Sequence, residues 1–152
     1  MSSYSLEAVV GQREVIATLP EPLASMGTVP LVGDLVLVPV PLEMLTHLYN
    51  DEPVLDAVRD VLGPLVVEAS RLGAVAYLHA ELFDDEGSEG TLVWRNGEVA
   101  FESYQDPAEG VGPIDRGLAA LGVVAADGLD PFSTAGLDRH HTLGEWIAAA
   151  RR

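Results

Sequence analysis

The stretch YLHAELFDDEGSEG, residues 77–90, sets His79 among five carboxylates, Glu81, Asp84, Asp85, Glu86 and Glu89. Three chemistries use such residues. Several carboxylate oxygens around one point hold calcium or magnesium, but an EF-hand loop needs alternating acids, a central glycine and a glutamate at its end. That spacing is missing, so the acids read as a solvated strand connection whose charges discourage edge pairing. His79 and Glu81, two apart on a strand, share a side. With His140 or His141 they make the two-imidazole, one-carboxylate set that zinc or iron takes. Nothing in the sequence brings those segments together, and neither a metal nor a cofactor is assigned. For hydrolysis, Ser88 sits in G-S-E-G rather than in the G-x-S-x-G of a nucleophile elbow, and Gly110-Val111-Gly112 is too short for a phosphate loop. No catalytic residue is assigned.

The elements that must carry these residues follow from periodicity. Ala76, Leu78, Ala80 and Leu82 alternate with Tyr77, His79, Glu81 and Phe83, which predicts a strand over 74–83. In TLVWRNGEVAFE the Asn96-Gly97 pair predicts a type I′ hairpin joining strands 91–95 and 98–104. Pairing then sets Arg95 against Glu98, Trp94 against Val99, Val93 against Ala100 and Leu92 against Phe101. Leu92, Trp94, Val99 and Phe101 would share one face, giving a core side and a solvent side. The three strands form an antiparallel meander, with the acidic stretch joining the first two. Further strands are expected over Leu6–Val10 and, with a turn at Gly33-Asp34, over 28–40.

Helical spacing of apolar residues predicts helices over 12–23, 41–49, 54–72, 113–121 and 142–151. Gly63-Pro64 should divide or kink the third, because proline removes a backbone hydrogen bond and clashes with the preceding turn. Thr142 and Glu145 form a capping box for the last. No repeat or long linker divides the chain, so residues 1–152 read as a single α+β domain.

Hydrophobic residues make up 48% of the 152 residues, the composition of a globular domain. Twenty-four acids face eight arginines and no lysine, a formal charge of −16. Such a surface repels nucleic-acid phosphates and anionic membranes; it favours a basic partner by long-range steering, and is equally explained as solubility. With no cysteine, disulfides and thiolate chemistry are excluded. MSSYSLEAVV lacks the cationic start and apolar core of a signal peptide, and the apolar run Leu35–Leu42 is far shorter than the roughly 20 residues of a membrane span. A soluble cytoplasmic protein is the expectation.

Three segments carry a resemblance: GAVAYLHAELFDDEGSEGTLVWRNGEV, GPIDRGLAALGV and DPFSTAGLDRHHTLGEW. Together, over about half the chain, they resemble a set of small acidic proteins of actinobacterial, high-GC type with no established activity. The resemblance implies no catalytic residue. Those proteins have glycines where this chain has Asp84 and Asp85, which implies that these two acids are replaceable. It matches best at Gly136, Leu137, Arg139, His140 and Trp146.

Two functions follow as expectations. The first is a non-catalytic protein-binding module, immunity-like or antitoxin-like, that meets a basic partner through charge and a few aromatic anchors. Tyr77, Phe83 and Tyr104 are candidate anchors on the sheet's open side, unless a second helical layer covers them. The alternative is a small enzyme or ligand-binding protein with a cleft between the sheet and the C-terminal helix. The candidate binding residues are Tyr77, His79, Glu81, Arg139, His140 and Trp146.

Overall fold

A computed structural model describes residues 3–41, 44, 54–83, 86–105 and 112–151. Its frame is one antiparallel sheet of six strands: β1 (Ser3–Gln12), β2 (Val29–Pro30), β3 (Leu35–Pro39), β4 (Val75–Phe83), β5 (Glu86–Arg95) and β6 (Glu98–Gln105). The order across the sheet is β2-β3-β1-β4-β5-β6. Five helices accompany it among the described residues: α1 (Arg13–Ile16), α2 (Val54–Val66), α3 (Pro113–Ala120), α4 (Pro131–Ala135) and α5 (Leu143–Ala150). The chain is an α+β protein. No helix among the described residues is long and apolar enough to cross a membrane.

Both faces of the sheet are covered. Val9, Val36, Val38, Val75, Tyr77, Leu92 and Trp94 pack on one side against Val15 and Ile16 of α1 and Leu55, Val58, Leu62 and Val66 of α2. Leu6, Ala8, Val10, Leu37, Ala76, Leu78 and Val93 pack on the other against Ile114 and Leu118 of α3 and Trp146 of α5. Each large apolar side chain buried this way contributes roughly 1.5–3 kcal/mol. A sheet buried on both faces accounts for the near-continuous apolar runs of β1 and β3. The expected solvent side is therefore corrected: Tyr77 is 1% exposed and His79 5%.

The hairpin forms as its Asn-Gly pair requires, with φ of +56° at Asn96 and +83° at Gly97. Arg95 faces Glu98 and Trp94 faces Val99 as expected, but a bulge then pairs Val93 with Phe101 and Leu92 with Glu102. One extra residue reverses the alternation beyond it. Phe101 thus joins Val93 on the α3 side, not Leu92 and Trp94. Strand β5 also starts earlier than predicted, so residues 86–90 of the acidic stretch are paired strand, with Glu81 opposite Ser88 and Phe83 opposite Glu86.

The first predicted helix, over 12–23, shrinks to Arg13–Ile16, followed by a 3-10 turn at Leu23–Met26, since Pro20 and Pro22 cannot continue a helix. Pro64 lies inside α2, which runs on to Val66, and a 3-10 turn at Ala69–Arg71 replaces the expected remainder. The helix predicted over 41–49 lies outside the described residues except at its first position and Met44. The short α4, which periodicity missed, is capped by Asp130, whose side chain accepts from the Ser133 amide, and ends at Gly136 with φ +96°. The capping box of α5 is present, Thr142 and Glu145 each accepting the other's backbone N–H.

Candidate functional site

On β1, β4 and β5 the buried part of the α2-side face is apolar except in one band. Strand alternation carries Val9 to Glu7 on β1, Tyr77 to His79 on β4, and Leu92 through Gly90 to Ser88 on β5. Register sets Glu7 opposite His79 and His79 opposite Gly90. The side chains join across the strands. The Tyr77 hydroxyl donates to Glu7 Oε2, His79 Nδ1 lies 2.5 Å from Glu7 Oε1, and His79 Nε2 lies 3.1 Å from Ser88 Oγ. With Glu7 as the acceptor, Nδ1 bears a hydrogen towards it, and when the ring is neutral Nε2 accepts from the serine hydroxyl. Glu7 and His79 are both buried, while Ser88 is partly exposed.

Burial by itself pushes the His79 imidazole down, because it penalises the cation. The Glu7 hydrogen bond and charge, reinforced by Glu81 and Glu89, outweigh it and hold the pKa above the usual imidazole range. On β6, Tyr104 pairs with Gly90 and stacks on His79, with ring centroids 6.2 Å apart and 17° between planes. A Cβ on Gly90 would meet the Tyr104 ring at 3.0 Å and Leu55 at 3.3 Å. The missing side chain lets Tyr104 close over His79.

A second polar group lies across the sheet. Glu89, Asp115 and Asp130 line a cavity of about 220 Å³ whose remaining walls include Leu82, Ile114 and Phe132. Each carboxylate is held by a backbone amide: Glu89 by Ile114, Asp115 by Phe132 and Asp130 by Ser133. Burial pushes the Glu89 carboxyl up, and the charges of Asp115 and Asp130 add to it against the Ile114 N–H and His79. Burial likewise raises Asp115, with Asp130 adding and the Phe132 N–H opposing. Among the described residues no three metal-binding side chains are arranged to hold an ion.

The residues singled out from the sequence divide between the two faces. Tyr77 and His79 belong to the buried band, and Glu81, exposed, lies on the same face by alternation. Trp146 is fully buried in the opposite core, with His140 edge-on at 4.7 Å. Arg139 Nη1 donates to the Pro30 carbonyl at 2.8 Å. The expected cleft combining His79 and Glu81 with Arg139 or His140 does not form, because the sheet separates them. Of the candidate anchors, Tyr77 is buried, Tyr104 is 39% exposed, and the side chain of Phe83 lies outside the described residues. Sequence reading missed Glu7, whose signal was a lone acid inside the apolar strand SLEAVVG, and the grouping of Glu89 with Asp115 and Asp130.

Comparison with known families, curated proteins and solved structures finds no match to this chain.

Proposed function

We propose that this protein is an acidic protein-binding module, of the immunity or antitoxin kind, that captures a basic partner. The observation behind the reading is how its charges are spent. Five of the eight arginines are engaged internally: Arg59 with Asp56 and Glu102, Arg71 with Glu68, Arg95 with the Ala120 carbonyl, Arg116 with Ser103, and Arg139 with Pro30. Acids dominate the surface that remains, Glu14, Glu21, Asp34, Asp60, Glu81, Asp127 and Asp138 all being exposed. Such a field speeds encounter with a cationic partner and turns away anions. The Glu89–Asp115–Asp130 cavity suits the contact itself. Its apolar walls match the stem of an arginine or lysine, and its fixed carboxylates match the tip.

The test is calorimetric titration with a short arginine-rich peptide. Neutralising the cavity through Glu89→Gln, Asp115→Asn and Asp130→Asn together should weaken binding at least tenfold more than neutralising Glu14, Glu21 and Asp34, which removes the same net charge elsewhere. Equal losses from the two triple variants would reduce the interaction to bulk electrostatics and remove the proposed site.

A further inference from the structure

The Glu7–His79–Ser88 chain goes beyond the binding reading and does not rest on it. We propose that Ser88 is a nucleophile, with His79 as its general base and Glu7 and Tyr77 as positioning residues, for acyl transfer from a carboxylic ester to water. Four observations carry this. The bonds run in the order that nucleophilic catalysis needs, hydroxyl to imidazole at 3.1 Å and imidazole to carboxylate at 2.5 Å. The carboxylate is itself oriented by the Tyr77 hydroxyl. Burial is graded along the chain: acid and base are buried and the serine partly exposed, so the accessible end is the one that must meet substrate. Finally, the band interrupts the buried apolar part of its face. Apolar residues in place of a buried ion pair are generally as stabilising or more so, so fold stability alone does not call for this ladder.

Each step balances. The Ser88 oxygen attacks the ester carbonyl carbon as His79 Nε2 takes the hydroxyl proton. The carbon–oxygen bond to the alcohol then breaks, and the alcohol leaves with the proton from Nε2. Water, deprotonated by the same nitrogen, attacks the acyl-serine, and the carboxylic acid departs as the proton returns to Ser88. Tyr104, stacked on the base and partly exposed, borders the approach. Among the described residues, the titratable groups around His79 are Glu7 from β1, Tyr77 and Glu81 from β4, Glu89 from β5 and Tyr104 from β6.

The experiment treats the full chain with a fluorophosphonate, which phosphonylates an activated serine and releases fluoride, and locates the added mass by peptide mapping. One adduct on Ser88 is expected, forming faster as pH rises and His79 loses its proton. Ser88→Ala should abolish it, and His79→Gln should slow it on the order of 10²–10⁴-fold. Glu7→Gln should move the midpoint of the pH profile down towards the ordinary imidazole range, which a merely structural Glu7 would not do in a variant that stays folded by circular dichroism. An unlabelled wild-type chain, an adduct elsewhere, or a Ser88 adduct whose rate ignores both His79→Gln and pH would overturn the assignment.

Discussion

Removing the Glu7 carboxylate tests the buried band most directly. In Glu7→Ala the Tyr77 hydroxyl and the His79 Nδ1–H both lose their acceptor in a region where Tyr77 is 1% exposed and His79 5%. Leaving the buried His79 Nδ1–H unpaired costs about 1–3 kcal/mol, the lost Tyr77 bond adds to it, and breaking a buried ion pair costs roughly 3–5 kcal/mol. Against a domain stability of about 5–15 kcal/mol this is a large loss. The informative control removes the partners together: Glu7→Leu, Tyr77→Phe and His79→Leu takes away the buried donors with their acceptor, leaves only the part-exposed Ser88 hydroxyl to turn to water, and should retain most of the wild-type stability.

Urea unfolding followed by circular dichroism, with equal m-values, reads the difference. Its pH dependence has a definite sign. Glu7 holds the His79 pKa above its unfolded value near 6.5, so the stability from the bound proton is fully present below about 6.5 and is lost as pH rises through the raised folded value. The gap between wild type and Glu7→Ala should therefore narrow towards alkaline pH. A Glu7→Ala cost under about 1 kcal/mol, an apolar triple variant no more stable than Glu7→Ala, or a gap that widens with pH would refute the stabilising role of the Glu7 carboxylate.

Gly87 has φ of +136°, and an added Cβ would lie 2.2 Å from the Glu81 carbonyl oxygen. Gly87→Ala should destabilise the protein by more than the roughly 1–3 kcal/mol of backbone strain alone, visible as a lower melting temperature. Glu89 behaves oppositely. Its folded pKa is raised, chiefly by burial, so the folded state is favoured when it is protonated and loses that advantage as pH rises through the raised value. Glu89→Gln should accordingly raise the melting temperature at neutral pH, with the gain vanishing in acid below the ordinary carboxylate range. A neutral-pH melt unchanged or lowered would show that the carboxylate's bond to Ile114 outweighs its burial.

Much of this molecule was legible in short stretches of sequence. Asn96-Gly97 specified its turn because both positions need positive φ, and Thr142 with Glu145 specified a helix start because the two cap each other within a single turn. The alternation of residues 76–83 placed His79 beside Glu81 and opposite Leu78. These signals act over a few residues and depend only on local backbone geometry. What they could not tell was which face meets what. Glu7 reaches His79 across 72 positions, a meeting that exists only because β1 lies between β3 and β4 in the sheet. A single extra residue near Ala100 sent Phe101 to the other side. The helices on the α2 side turned a supposed solvent face into a core, burying Tyr77 and His79 and leaving Tyr104 at the rim. Local chemistry chose the turns and caps. Strand order and layer stacking, settled by burying apolar surface over the whole chain at once, decided which polar groups meet, and with them the candidate site.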